Sequence, residues 1–508
     1  MTAGLASWAN AVAEGAHAGQ GFLRVSLPWA SDNNFILVRR LSDRKEFKLT
    51  RQPALGPGNF GQWVPPGEYE VPVVSDGQPF PPVVAQAGRM TDLGGMIDID
   101  IGGYEVMTVP FGHTEFAEEA RIAAERLAPE LSDSEALAWR PGVPPKPRKV
   151  ERADLNLGLI VDMIVEHDRR VNKPPVSEQI KKASSPDEVI RLAMSFQWPE
   201  FDEPAIDRRL NAYYGAGLGQ IRARDSDGRW SNLDTGVLQR ITSVEADGDR
   251  LVAGTANGSI LVSPDGGQHW SKAMAFSSGE MVIDIDRVGS HWIIMTAPVV
   301  RLSGPIVDAT DQFTVYATSE DDLSKLEPVK KVSLPDKLMF IEGVAGVHGD
   351  AMGDSYFVNG VKALHRLDLK LMQWTQIAMP FEATNFHVVG DVITIYRQRG
   401  MFSKLSVSTD GGATWLSRDT PPSVFGDVVF HAPDKGTSTR LERGAFSVVT
   451  EFMTYDAKSN KWTLTHASPN ACLRLIRDAE GAQRYCVIRG GSILNFVDGK
   501  WVVEFAVN

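Results

Sequence analysis

The sequence contains two copies of one eight-residue pattern, SPDGGQHW at residues 263–270 and STDGGATW at residues 408–415. Both copies read Ser-x-Asp-Gly-Gly-x-x-Trp. In such a turn the aspartate accepts backbone N–H groups of its own loop, and the glycines take the positive φ that other residues avoid. The tryptophan offers a large apolar surface to a neighbouring sheet. The pattern predicts a tight turn between antiparallel strands, with structural roles for Asp265, Trp270, Asp410 and Trp415.

Weaker versions of this turn recur through the second half of the chain. The apolar residues that close the seven turns are Trp230, Trp270, Leu326, Trp374, Trp415, Trp462 and Trp501. They lie 39 to 56 residues apart, close to the length of one four-stranded propeller blade. We therefore predict a mainly β chain with a seven-bladed β-propeller over residues 213–508. A six-bladed ring with an extra hairpin is the alternative, because little chain separates residue 213 from Trp230.

The two complete turns resemble the Asp-box (BNR) repeats of a β-propeller superfamily that includes sialidases, other glycosidases and sortilin-like receptors. The stretch ADGDRLVAGTANGSILVSPDGGQHWSKA at residues 246–273 is most similar to the blades of the photosystem II assembly-factor family. The resemblance covers about 290 residues. It implies the propeller fold, and no function follows from it directly.

Residues 21–112 read as about seven short strands, which predicts a small β-sandwich after an arm at residues 1–20. The clearest signal is WVPPGEYEVPVV at residues 63–74, where Pro65-Pro66-Gly67 makes a turn that starts a strand. The PPGEYEV segment and the AGRMTDLG stretch at residues 87–94 resemble the prealbumin-like domains of bacterial envelope proteins.

A helical connector is predicted over residues 113–212, with helices at 115–127, 154–169 and 185–196. Ser185, Pro186 and Glu188 have the order of a helix start with a capping box. The Pro-rich residues 140–149 predict a linker, since proline cannot continue a helix. The helices after this linker are expected to bury their apolar stripes on the propeller.

Charge and hydropathy limit the classes of partner. The formal net charge is −12, which argues against a broad nucleic-acid surface. The chain has no apolar run long enough for a membrane span. Residues 1–20 lack the basic start and apolar core of a signal peptide. We expect either a cytoplasmic protein or one whose leader was removed, and in the second case a lipid anchor is an option.

Cys472 and Cys486 are the only two cysteines. The segment between them turns at residues 479–481, so the two thiols are expected to face each other across neighbouring strands, and we predict a disulfide. Two unbonded, buried thiols are the alternative. A disulfide would indicate an oxidising compartment, which favours the periplasm or cell envelope over the cytoplasm.

The sequence assigns no catalytic, cofactor-binding or metal-ligating residues, and no cofactor. Sialidases need three arginines, an activated tyrosine and an acid, but the nearest match to their first arginine strand is Arg240-Ile241-Thr242. The ten histidines are dispersed. We therefore predict a multidomain, non-catalytic protein of the bacterial cell envelope that binds another protein, as an assembly factor, receptor module or toxin inhibitor. A sialidase-like or other carbohydrate-acting enzyme on the propeller channel face is the alternative.

Overall fold

The chain forms two compact units. The computed structural model describes residues 17, 19–27, 35–52, 59–75, 80–102, 105–112, 131, 137–149, 176–197, 204–276, 280–298, 300–301, 307–341, 348–397, 402–422, 428–443, 448–469, 471–472, 474–477, 483–488 and 491–506. The first unit is Met1–Arg152 with Arg169–Ser195 and Ser277–Gly279, and the rest of the chain forms the second. The predicted helices at 115–127 and 154–169, and most of the predicted arm, lie outside the described residues.

The first unit is built on ten strands. They are β1 (Gly21–Ser26), β2 (Ile36–Arg40), β3 (Glu46–Arg51), β4 (Asn59–Val64), β5 (Gly67–Glu70), β6 (Val83–Ala85), β7 (Met90–Gly102), β8 (Glu105–Phe111), β9 (Leu137–Ala138) and β10 (Arg148–Lys149). They form one sheet in the order β10-β8-β7-β1-β4-β3-β2-β5-β6, with β9 on β7. The sheet curls around one apolar core that includes Leu23, Val38, Phe60, Tyr69 and Val83.

A sandwich of two sheets was expected, and one continuous curled sheet is observed. The continuity comes from β1, which pairs antiparallel with β4 on one side and parallel with β7 on the other. A buried ion pair crosses the second of these junctions. Arg24 Nη1 lies 2.9 Å from Asp92 Oδ1, and both residues are almost wholly buried. Arg24 also donates from Nε to Asn59 Oδ1 at 2.7 Å.

The Pro-rich segment is held against this sheet. Trp139 donates from its indole nitrogen to the Pro81 carbonyl at 2.8 Å, and Arg140 binds Asp92 at 3.1 Å. The segment ends in β10, which pairs with β8. Proline prevents a helix or strand through most of this segment, but these hydrogen bonds and the pairing with β8 hold the segment on the first unit.

Three helices are described, α1 (Pro72–Ser75), α2 (Ser177–Ile180) and α3 (Pro186–Ser195). At the start of α3, the Ser185 hydroxyl accepts the Glu188 N–H, as the capping pattern predicts. We expected the helix at 185–196 to bury on the propeller, but α3 packs on β8 of the first unit. The short helix α2 was not predicted, and it packs on β7. Ser177 donates to the Ile101 carbonyl, and Lys181 lies 2.6 Å from Glu105.

The second unit is a seven-bladed β-propeller. Blades 1 and 2 contain β11 (Ala205–Ile206), β12 (Ala212–Gly215), β13 (Gln220–Arg224), β14 (Trp230–Asp234), β15 (Ile241–Asp247), β16 (Arg250–Thr255), β17 (Ser259–Ser263) and β18 (Ser271–Ala275). Blade 3 contains β19 (Glu280–Val288), β20 (His291–Pro298), β21 (Val300–Arg301), β22 (Val307–Thr318) and β23 (Glu327–Ile341). A 3-10 turn at Leu323–Lys325 precedes β23.

Blades 4 to 7 have four strands each. Blades 4 and 5 contain β24 (Gly349–Met352), β25 (Ser355–Asn359), β26 (Ala363–Asp368), β27 (Gln373–Ala378), β28 (Asn385–Val389), β29 (Val392–Arg397), β30 (Lys404–Ser408) and β31 (Leu416–Arg418). Blades 6 and 7 contain β32 (Val428–Ala432), β33 (Lys435–Arg443), β34 (Val448–Asp456), β35 (Lys461–Ala467), β36 (Arg474–Arg477), β37 (Gln483–Val487), β38 (Ile493–Val497) and β39 (Lys500–Phe505).

The strand order selects seven blades over six. Six of the sheets are antiparallel meanders of four strands, and blade 3 adds β21 as a fifth. The first blade has four strands because the two-residue strand β11, which precedes the predicted start at residue 213, pairs with β12. Blade 7 packs against blade 1, where Arg224 Nε lies 2.6 Å from Glu504 Oε1. All seven predicted closing residues lie on the fourth strand of a blade or directly before it. In blade 3 that strand is β23.

Candidate functional site

The two complete turns lie between the third and fourth strands of blades 2 and 5. Asp265 Oδ1 accepts the N–H groups of Gln268 and His269, at 3.1 and 2.9 Å, and the Ser263 hydroxyl at 2.9 Å. In blade 5, Asp410 Oδ1 accepts the Thr414 N–H at 2.9 Å. Both carboxylates are therefore bound within their own turns.

The side-chain donors around these aspartates lower their pKa values. The His269 imidazole has the largest effect on Asp265, and the Thr414 hydroxyl has the largest effect on Asp410; each holds the pKa of its carboxyl at about 2. Both groups are accordingly ionised acceptors at neutral pH. A role in turn stability follows from these contacts.

The glycine and tryptophan of each turn pack on the preceding blade. A Cβ at Gly267, where φ is +91°, would lie 2.5 Å from Leu233 on the outer strand of blade 1. Trp270 packs in the same apolar cluster as Leu233. In blade 5, Trp415 donates from its indole nitrogen to the Ala378 carbonyl of blade 4 at 3.1 Å. The turns therefore join neighbouring blades.

Cys472 and Cys486 are joined in a disulfide, with Cα atoms 5.1 Å apart. The pairing register differs from the predicted one. Cys486 lies on β37 opposite Leu475 of β36, and Cys472 lies before β36 begins. The predicted turn at 479–481 lies outside the described residues. The bridge therefore joins the entry of blade 7 to its second strand, and the thiols do not sit at facing ladder positions.

A row of carboxylates lies along the first strands of blades 2 to 4, β15, β19 and β24. These strands contact one another in sequence around the ring, so they form its inner wall. Glu245 on β15 accepts the Arg287 N–H of β19. Asp284 on β19 accepts the Gly349 N–H of β24 at 2.6 Å. Asp350 on β24 accepts the Val388 N–H of β28 at 2.7 Å. Each acid thus bonds the backbone of the next blade, an arrangement that periodicity within one blade does not reveal.

Tyr356 on β25 reaches across to the acids of blade 3. Its hydroxyl donates to Asp286 Oδ2 at 2.7 Å and lies 3.4 Å from Asp284 Oδ2. Gly349 makes this approach possible, because a Cβ there would lie 1.8 Å from the tyrosine oxygen. The glycine is needed for close approach and not for an unusual φ.

Burial and mutual repulsion shift the titration of this group. Burial, followed by the charge of Asp284, raises the pKa of Glu245 to about 8. Burial, with the charges of Asp284 and Glu245, raises the pKa of Asp286 well above its ordinary value of 3.8. The pKa of Tyr356 is also raised, by burial and by the charge of Asp286. The wall therefore resists the accumulation of negative charge.

These features do not suit sialidase chemistry. A tyrosine nucleophile needs a lowered pKa, but Tyr356 is fully buried and its pKa is raised. Among the strand arginines, Arg222 is committed to the Gln197 carbonyl at 2.6 Å and lies over the Phe505 ring. The side chains of Arg301 and Arg474 lie outside the described residues. No contact within the described part of the chain supports the enzymatic alternative.

A group of potential metal ligands adjoins the acidic row. The side-chain ligand atoms of His348, Asp350 and His387 lie within 4.8 Å of one another. Both histidines are buried. The sequence predicts no metal ligands, because its histidines are dispersed. The local signal for this group is His348-Gly349-Asp350, in which alternation places both side chains on one side of the strand.

Comparisons with known proteins agree with a propeller but add little. No protein-family profile matches the chain, and no curated protein matches it. Among solved structures, "YCF48 bound to D1 peptide" is 14% identical, with a TM-score of 0.37 over 59% of this chain and 91% of that one. YCF48 from Cyanidioschyzon merolae is 14% identical, with a TM-score of 0.35 over 59% and 92%. The WD40 propeller domain of Doa1 is 10% identical, with a TM-score of 0.35 over 59% and 89%.

These values are too low to carry an argument about function. The assignment of the fold therefore depends on strand order and blade closure in this chain. Within its described residues, the chain has no helix long and apolar enough to cross a membrane.

Proposed function

We propose that the propeller is a non-catalytic module that binds another protein through the acidic inner wall of blades 2 to 4. One observation carries this proposal. The three first strands β15, β19 and β24 contain six carboxylates and a single arginine. The acids are Glu245, Asp247, Glu280, Asp284, Asp286 and Asp350. Arg287 Nε lies 3.3 Å from Asp247 Oδ2, and the pKa values of Glu245 and Asp286 are raised, so the wall attracts positively charged groups through those of its acids that are ionised and through the protons that the others release when a cation docks.

The chemistry of the wall favours a partner segment rich in lysine or arginine. The raised pKa values of Glu245 and Asp286 arise partly from neighbouring negative charge. A docked cation would offset that charge, and complementary potentials of this kind increase association rate and specificity. The hydrogen bonds between blades hold the carboxylates on a rigid scaffold, which reduces the entropy lost on binding.

We further propose that the protein works in the bacterial cell envelope, as an assembly factor, a receptor module or a toxin inhibitor. The Cys472–Cys486 pair supports an oxidising compartment such as the periplasm. The likeness of residues 246–273 to photosystem II assembly-factor blades supports membership of the Asp-box superfamily. A mass spectrum of unreduced peptides from the native host tests the compartment, because two free thiols would remove this support.

The binding proposal is tested by affinity enrichment from the native host with the full-length protein as bait. Asp247→Asn/Asp284→Asn removes two wall charges and keeps side-chain acceptors. Glu320→Gln/Glu327→Gln is the matched control, since it removes the same charge from exposed positions on blade 3. We expect a partner that the wild type and the control recover equally, and that the wall variant recovers about tenfold less, equivalent to ~1.4 kcal/mol. Equal recovery by all three proteins would contradict the proposal.

A further inference from the structure

The inner wall holds two histidines and a carboxylate at the boundary of blades 4 and 5. His348 directly precedes β24, Asp350 lies on β24, and His387 lies at the centre of the neighbouring first strand β28. His348 Nε2 lies 3.5 Å from Asp350 Oδ2. The His348 and His387 rings stack with centroids 5.0 Å apart and planes 29° apart. Both strands belong to the rigid inner ring of the propeller.

We propose that His348, Asp350 and His387 form a binding site for a first-row transition-metal ion such as Zn²⁺. Two imidazoles and one carboxylate are a ligand set that such ions accept, whereas Mg²⁺ and Ca²⁺ prefer oxygen ligands alone. Three protein ligands leave at least one coordination position for water or for a group from a partner. This site is independent of the proposed protein binding, since it can hold an ion in the isolated chain.

The distances require only a small adjustment. In a tetrahedral site with bonds of ~2.1 Å, ligand atoms lie about 3.4 Å apart. The contact of His348 with Asp350 already has this spacing, and the most distant pair of ligand atoms has to close from 4.8 Å. Since stacked rings do not direct their nitrogens at one point, His387 has to turn about its side-chain torsions on binding.

The surroundings orient the carboxylate. Asp350 Oδ2 accepts the Val388 N–H at 2.7 Å, which fixes the carboxylate between the two strands. Ligands held by hydrogen bonds of this kind bind metals more tightly.

Metal titration of the untagged full-length protein tests the site. The protein is first dialysed against EDTA, then titrated with Zn²⁺, Co²⁺ and Mg²⁺ by calorimetry, with Co²⁺ absorption as a second readout. We expect one equivalent of Zn²⁺ or Co²⁺ to bind with a Kd in the micromolar range or tighter, and Mg²⁺ not to compete. No stoichiometric binding of Zn²⁺ or Co²⁺ would overturn the proposal.

Two variants and a control locate the ion. Asp350→Asn keeps an acceptor for the Val388 N–H but removes the charge, and His387→Ala removes one imidazole. His431→Ala is the matched control, because His431 follows Phe430 on the first strand of blade 6 as His387 follows Phe386 in blade 5. We expect the first two changes to weaken binding at least ~10-fold and the control to leave it unchanged. Equal weakening by His387→Ala and His431→Ala, or an unaffected Asp350→Asn variant, would overturn the assignment. Near-ultraviolet circular dichroism verifies that each variant is folded.

Discussion

Replacing Glu245 by glutamine should stabilise the propeller at alkaline pH. Glu245 accepts the Arg287 N–H of the next blade, and a glutamine oxygen can accept the same bond. Its folded pKa of about 8 lies above the ordinary value of 4.5. The folded state therefore binds this proton more tightly than the unfolded state does. The resulting stability is complete below pH 4.5 and is lost as pH rises from 4.5 to 8.

The size of the effect follows from this difference in pKa. At ~1.36 kcal/mol for each pH unit, the rise from 4.5 to about 8 corresponds to about 5 kcal/mol. Glu245 keeps part of its surface in contact with solvent, which screens its charge. We therefore expect glutamine to raise the free energy of unfolding by about 1–3 kcal/mol at pH 8.5 relative to its effect at pH 4.5.

Thermal unfolding followed by circular dichroism at pH 4.5, 6.5 and 8.5 measures this difference. A gain of 1–3 kcal/mol corresponds to several degrees in Tm. The difference between the two reports Glu245 together with its effect on the pKa of Asp286, while ionisable groups away from this cluster contribute equally to both proteins. Glu327→Gln, an exposed substitution on β23, should leave Tm unchanged at every pH. A variant whose Tm difference does not increase with pH would refute the reasoning.

Three further predictions, which use five substitutions, test other parts of the structure. Tyr356→Phe should lower the free energy of unfolding by about 1–3 kcal/mol, because a buried carboxylate loses its donor. Tyr396→Phe is the control, because the Tyr396 hydroxyl bonds a neutral serine, and it should cost about 1 kcal/mol or less. Urea unfolding of both variants measures the two costs, and equal costs would argue against a charged network. Asp265→Ala and Asp410→Ala should lower the Tm of the propeller and keep partner recovery; lost recovery at unchanged Tm would show that these residues bind a ligand. Burial lowers the pKa of His466, so the folded state keeps it neutral and loses stability as pH falls below 6.5. His466→Phe should reduce this loss of stability at low pH. If Tm falls below pH 6.5 as steeply in the variant as in the wild type, the prediction is wrong.

The blade number was predictable because the turns that close the blades are local. Asp265 and Asp410 bond groups within four residues of themselves, so their signature survives in the sequence. The first strand of blade 1 was missed for the opposite reason. β11 has only two residues, and the turn that joins it to β12 contains Asp207, whose carboxylate accepts the Arg209 and Asn211 N–H groups. A strand this short has no periodicity to detect.

The candidate site was not predictable, because it arises between blades. The bond from Asp284 to the Gly349 N–H joins residues 65 positions apart, and the registers of neighbouring blades come from packing. The contact of Tyr356 with Asp286 spans 70 positions and depends on the absence of a side chain at Gly349. Only the ring shows that acids from different blades face one wall.

The surface that covers α3 also could not be predicted from the sequence. Its apolar stripe requires a covering surface but does not specify which one. In the structure α3 buries Pro186, Val189, Ile190 and Ala193 and packs on β8. Because β8 lies far from α3 in the chain, no local pattern marks this contact.

The acidic inner wall as a protein-binding surface is tested most directly by hydrogen exchange on the complex with the captured partner. If the wall binds the partner, amide protection should increase in β15, β19 and β24 and in the turns that follow them. The outer strands β18, β27 and β31 should exchange as they do in the free protein. Increased protection confined to the outer strands or to the first unit, with β15, β19 and β24 unchanged, would contradict the account.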